Sequence, residues 1–187
     1  MNTADAFWYP TTAKRPLKSS LYTLLLLVLG LTASPAYGPF DFNARLELAY
    51  WDIVNMDTEG AKRKLEGQVD NGCVYLFANY IDFLDLYMRG NLDLYKEKKA
   101  SFSDRLGKVK KNKDRTSPYY WYSQGEIHLH SAVLHIKFGE YFASVWDIRR
   151  AFNKLEKARD EHPTFLPASK AYGLLIAILG SVPEEYT

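Results

Sequence analysis

The sequence predicts an all-α protein: stacked antiparallel helical hairpins forming an α-solenoid, about seven helices after a signal segment. Three observations carry this expectation. Apolar residues recur three and four apart through most of residues 44–179, the period of an amphipathic helix. Capping residues and turn glycines cut that pattern into seven blocks. Only Ile176-Ala177-Ile178-Leu179 has strand-like composition, and its neighbours are helical.

Length and composition fit this class. At 187 residues the chain is one domain, or an export segment plus one domain. Hydrophobic residues make up 47% and aromatics 15%, enough to fill a packed core and too many for a disordered chain.

Residues 1–36 differ from the rest. Lys14, Arg15 and Lys18 precede an apolar run from Leu21 to Leu31, which ends in Thr32-Ala33-Ser34-Pro35-Ala36. A basic start, a short apolar run and small residues at a cleavage site describe a signal peptide. An uncleaved N-terminal anchor and an internal helix are the alternatives. The run is short of the ~20 apolar residues that a membrane span needs. Phe7-Trp8-Tyr9-Pro10 has no obvious export role, and a start codon assigned too early explains that long lead. This segment carries three basic residues and one acid, so the remainder holds 21 of each and no net charge. Residues 37–187 therefore lack the global field that steers nucleic acid. Cys73 is the single cysteine, so the fold rests on its core rather than on an internal disulfide. It reads as a small buried apolar residue, with a reactive thiol at a helix start as the alternative.

The helices follow in order. Asp41 or Asn43 caps a first helix ending near Asn55, with Leu46, Ala49, Tyr50 and Ile53 inward. Asp57 or Thr58 caps a second, which carries Ala61 and Leu65 inward and ends by Gly67. Asn71-Gly72 turns into a third, Cys73 to Met88, with two adjacent apolar rows: Val74, Phe77, Ile81, Leu84, Met88 and Leu76, Tyr80, Phe83, Tyr87. Two rows mean cover on more than one side. Gly90-Asn91 stops it. A more polar fourth helix, about Leu92 to Lys110, turns Leu94, Tyr95, Phe102, Leu106 and Val109 inward. Ser117-Pro118 is a strong helix start, with Ser as cap and Pro in the first turn; this fifth helix reaches about Lys137, before Gly139. The sixth starts near Tyr141, with Tyr141, Val145, Ile148, Phe152 and Leu155 as its inner row and Trp146 and Ala151 beside it. His162-Pro163 ends it. The seventh spans about Pro167 to Leu179. Short turns between helices imply antiparallel hairpins packed in series.

Residues 117–163 resemble one enlarged tetratricopeptide (TPR) hairpin. Trp121 and Gly125 stand where the repeat places its opening aromatic and its glycine. Gly139 and Tyr141 supply the turn, and Ala151, Leu155, Ala158 and Pro163 supply the packing and stop of the second helix. Tyr172-Gly173 opens a next repeat. Residues 44–67 fit an earlier hairpin, and residues 68–116 match poorly. The unit spans some 47 residues against the family's 34, so a HEAT-type hairpin array is the alternative. Ser117-Pro118-Tyr119-Tyr120, Lys137-Phe138-Gly139-Glu140-Tyr141 and Gly180-Ser181-Val182-Pro183-Glu184-Glu185-Tyr186 together resemble a group of exported, TPR-containing bacterial proteins of unknown function. The resemblance implies a periplasmic or cell-envelope location in a Gram-negative bacterium, a binding scaffold, and a longer chain of which this is an N-terminal fragment. The seventh helix carries Leu174, Leu175, Ile178 and Leu179 with no helix after it, so missing C-terminal repeats, a homodimer or a partner is expected to cover it.

Residues with catalytic or metal-binding chemistry are few. His128 and His135 share a helix face two turns apart and His130 points elsewhere, a spacing unlike a helical zinc site. Asp82 and Asp85 lie three apart among apolar residues, suited to bonding a neighbouring helix or a partner's amide. They have no companion nucleophile motif. Residues 91–115 hold nine basic residues against four acids, read as a solvated helix or, from Lys96 to Arg115, a contact for anionic lipid headgroups. In the block Tyr119, Tyr120, Trp121, Tyr122, consecutive side chains point all around a helix, so at least one is expected on a surface. The expected function is a non-catalytic scaffold with no cofactor or metal. It binds a protein or peptide in a groove along Tyr119, Tyr122, Gln124, His128 and Lys137. The second expectation is an N-terminal regulatory or anchoring module of a longer membrane-associated protein.

Overall fold

The computed structural model describes residues 39–68 and 70–180; the expected signal segment, residues 1–36, and the segment from Ser181 lie outside them. Seven helices and no strand occur among the described residues: α1 Ala44–Val54, α2 Thr58–Leu65, α3 Gly72–Arg89, α4 Leu92–Lys111, α5 Pro118–Lys137, α6 Tyr141–Glu161 and α7 Leu166–Gly180. The protein is all-α. No described helix is long and apolar enough to cross a membrane.

Local chemistry sets these boundaries. The Asn43 side chain accepts the amides of Arg45 and Leu46 at 3.1 Å each, and Asp57 accepts Gly60 N at 2.8 Å. Asn71, Asn91 and Ser117 cap α3, α4 and α5 in the same way. Each cap satisfies a donor that the first turn leaves free, and contributes about 1 kcal/mol. Gly90 ends α3 with φ +63°, a left-handed conformation that costs any side chain with a Cβ.

Most helices pack mainly on their chain neighbours, and α3 packs most extensively on α5. α1 meets α2, α3 meets α4, and α5 meets α6 along nearly their whole length. α3 also packs on α1, α2 and α5, while α5 packs on α3, α4 and α7. One core joins α1, α2, α3 and the start of α5 through Leu46, Ala61, Phe77 and Trp121. A second unites Leu129, Ala151, Leu155 and Leu175; a third unites Leu86, Tyr95, Phe102 and Leu134. A fully buried Leu such as Leu155 contributes about 1.5–3 kcal/mol.

The structure corrects the expected inner row of α6. Tyr141, Val145 and Trp146 are 60–65% exposed, and the residues facing α5 are Ser144, Asp147, Ala151, Leu155 and Ala158. Across the interface, α5 presents His128 and His135 to Asp147 rather than an apolar strip. Met88 and Tyr87 also face outward, because burial along α3 stops at Leu86. Tyr50 is only partly covered, and Leu174 and Leu179 are exposed while Leu175 is buried.

Candidate functional site

α5 is the most enclosed helix, and its sequence is unusually polar for that position. Ser123, Gln124, Glu126, His128, His130 and His135 are all buried. Burying polar groups without partners is costly, so each needs a bond.

Two separate networks meet most of that need, while Ser123 Oγ and His135 Nδ1 find no hydrogen bond among the described residues. Towards α6, His128 Nδ1 lies 2.8 Å from Asp147 Oδ1 and His135 Nδ1 lies 3.2 Å from Asp147 Oδ2. One buried carboxylate thus bridges two imidazoles two turns apart. The His135 Nε2 is 3.5 Å from Glu140, which also takes the Lys99 ammonium. Burial holds His135 below the ordinary histidine range despite both acids.

Towards α3, Asn79 Nδ2 donates to His130 Nδ1 at 2.8 Å, which leaves the proton of the ring on Nε2, 3.4 Å from Glu126 Oε2. The Tyr80 hydroxyl donates to the same oxygen at 2.6 Å. His130 stacks on Phe83 at 4.3 Å and meets Tyr80 edge-on at 4.4 Å. Complete burial pushes its pKa down to about 3, so it is neutral at physiological pH. Burial also raises Glu126, against the opposing pull of Tyr80, Lys170 and Tyr122. His130 therefore points away from His128 and His135, as its sequence position predicts.

A band of aromatic rings links α1, α3 and α5. Trp51 and Tyr50 of α1 are 5.9 Å apart, and Tyr50 lies 6.1 Å from Phe77 of α3. Phe42 bridges Phe77 at 6.0 Å and stacks on Tyr119 of α5 at 5.6 Å. Tyr119 then contacts Tyr122 at 6.3 Å and Phe165, just before α7, at 4.9 Å. Phe42, Tyr50 and Trp51 are 38%, 39% and 53% exposed.

The five residues expected to form one groove divide into three places. Tyr119 and Tyr122 belong to this band, half-buried. Gln124 and His128 are buried, His128 against Asp147 of α6, and neither is open to a partner. Gln124 bonds the Tyr120 carbonyl at 3.0 Å. Lys137 lies at the far end of α5, its ammonium 4.8 Å over Tyr87. In the block 119–122 none is fully exposed: Tyr120 and Trp121 are buried and their neighbours half-buried, because α3, α4, α6 and α7 all pack on α5.

Asp82 bonds the neighbouring helix α4, accepting from Lys98 at 2.7 Å and from Arg105. Burial pulls its pKa up, but those two cations outweigh it and hold the carboxyl below its usual value. Lys98, Lys99 and Arg105 are thus paired with acids, and the basic stretch from Lys96 to Arg115 is not one free stripe. Sequence periodicity places Tyr80 in an inner row but misses Glu126 and Asp147, since polar residues carry no weight in an apolar count; the signal that finds Glu126 is its i, i+4 spacing to His130.

No protein family, curated protein or solved structure matches this chain.

Proposed function

We propose that this chain is a non-catalytic scaffold, a short right-handed stack of TPR-like hairpins that binds an extended or helical peptide along its first helices. In such a stack each hairpin's first helix touches its own second helix and the first helix of the next hairpin. Its second helix also touches that next first helix. The neighbour pattern of α1 to α7 supports this reading, with α1, α3, α5 and α7 as first helices. The observation that carries the binding role is the aromatic band from Trp51 to Phe165. It crosses α1, α3 and α5, with exposed rings at its α1 end. Aromatic side chains anchor interfaces with large area and few rotatable bonds. The signal-like residues 1–36 support a location in the periplasm or cell envelope.

Selecting displayed peptides against the chain, then mapping amide exchange with and without the selected peptide, tests this proposal. Protection of α1 and α3 supports it. Protection confined to α6 or α7 refutes it.

A specific observation favours a second interface. Tyr141, Phe142, Val145 and Trp146 on the outer side of α6 are 60–91% exposed, a contiguous apolar patch on a helix that also carries charge. On that reading the chain is a regulatory or anchoring module, held to a larger partner through α6.

A further inference from the structure

We propose that the surface around Trp121 is a binding site for a phosphate group. Trp121 lies in the first turn of α5, and its indole Nε1 donates to Glu161 Oε2 at 2.7 Å. That bond fixes the ring, and cations gather around it. The ammonium groups of Lys154 and Lys157 on α6 are 4.5 and 4.3 Å from the ring centroid. The Arg115 guanidinium, from the loop before α5, is 5.9 Å away. Lys110, at the end of α4, is near enough to act on Lys154. Burial, then Lys110, Lys157 and Arg115, hold the Lys154 pKa below the usual lysine value.

Two separate elements, α6 and the loop before α5, thus deliver three positive side chains to one ring, with Lys110 of α4 adding its charge nearby. Glu161 is the acid among them, and it already holds the indole and lies 3.5 Å from Lys157. Lys110, Arg115 and Lys154 form no ion pair among the described residues, whereas Lys98, Lys99 and Arg105 of the same basic stretch each face an acid. The start of α5 adds the positive end of a 20-residue helix. Positive charges held together with a single acid among them favour an added anion. A phosphate group matches best: its two charges answer the surplus, its oxygens accept the arginine fork and the lysine ammoniums, and its size suits cations grouped around one ring.

A soluble phosphate and a lipid headgroup share this chemistry, and two arms distinguish them. The full chain is titrated with inorganic pyrophosphate by calorimetry, and in parallel sedimented with vesicles of phosphatidylglycerol in phosphatidylcholine, with pure phosphatidylcholine as blank. Lys154→Gln and Arg115→Gln are compared with Lys62→Gln, which is remote from Trp121. Pyrophosphate binding that weakens at least about tenfold in K154Q and R115Q but not in K62Q supports the site with a soluble ligand. Loss of vesicle binding alone in the same two variants supports it with a headgroup. Absence of binding in both arms, or binding that K154Q and R115Q leave unchanged, overturns it. Thermal melts of the variants matching the wild type exclude a folding defect.

Discussion

Gly125 of α5 faces Leu155 of α6 so closely that a Cβ on Gly125 would lie 2.7 Å from Leu155 Cγ and Cδ2 and 3.2 Å from its backbone nitrogen. No side chain fits there, which is why the two longest-paired helices can approach along their full length. Gly107, within α4, faces open space. The same substitution at these two positions therefore has opposite signs. Gly107→Ala is expected to stabilise by about 0.5–1 kcal/mol through helix propensity. Gly125→Ala gains that too, but overpacking of about 1–3 kcal/mol outweighs it, for a net loss on the order of 1 kcal/mol. Urea midpoints of the two variants measure both signs.

Asp82 is the hub of a partly buried ion cluster, with side-chain exposures of 12% for Asp82, 17% for Arg105 and 27% for Lys98. Asp82→Ala leaves Arg105 without an acid and Lys98 with only Asp85, at 3.9 Å. Removing one member of a buried pair costs about 3–5 kcal/mol, and partial exposure lowers the expectation here to about 2–3 kcal/mol. Asp82→Ala and the double variant Asp82→Ala/Arg105→Met separate the effects. Recovery of part of the loss in the double variant marks the unpaired guanidinium as the cause, and its absence points to packing.

His130 makes the fold acid-sensitive. Its pKa near 3 in the folded chain lies below the 6.5 of an ordinary histidine, so between these values the unfolded chain binds more protons. Stability from this residue is complete above pH 6.5 and falls as pH drops towards 3, by up to about 1.4 kcal/mol per unit. Glu126, raised by burial, acts in the opposite sense: it costs stability as pH rises above 4.5. His130→Gln keeps an acceptor for Asn79 and removes only the histidine's contribution. The stability difference between pH 7 and pH 4.5 is expected to shrink in that variant; an unchanged difference means that other groups set the acid limit.

Cys73 is fully buried at the start of α3, and burial, then the Asp41 charge, push its thiol above the ordinary range. Position at a helix start does not make it reactive. The native chain is expected to resist a thiol reagent such as DTNB and to react stoichiometrically in urea. Rapid native labelling contradicts this placement.

All seven helices were legible from caps, glycines and apolar spacing, because those signals act within a turn of the residue that carries them. Asn43, Asp57, Asn71 and Ser117 are observed caps, and Ser117-Pro118 to Lys137 has the expected bounds. Less legible was which face turns inward. On α6 the aromatic row and the buried row differ by about one position, and the choice between them depends on His128 and His135 of another helix finding Asp147. Likewise Gln124 and His128 read as polar and therefore accessible, yet both are buried. The aromatic band was visible only at Tyr119 and Tyr122. Phe42 and Phe165 join it through tertiary contacts with Tyr119, far away along the chain on either side.

The central claim is that peptide binding uses the band on the first helices. Titration calorimetry of a selected peptide tests it most directly, comparing the wild type with Tyr50→Ser/Trp51→Ser on α1 and with Phe142→Ser/Trp146→Ser on α6. All four side chains are at least 39% exposed, so neither pair is expected to unfold the chain. The account predicts at least about a tenfold loss of affinity in the α1 pair and little change in the α6 pair, as for loss of an aromatic anchor. The reverse result, affinity kept in the α1 pair and lost in the α6 pair, contradicts it and makes the outer face of α6 the interface.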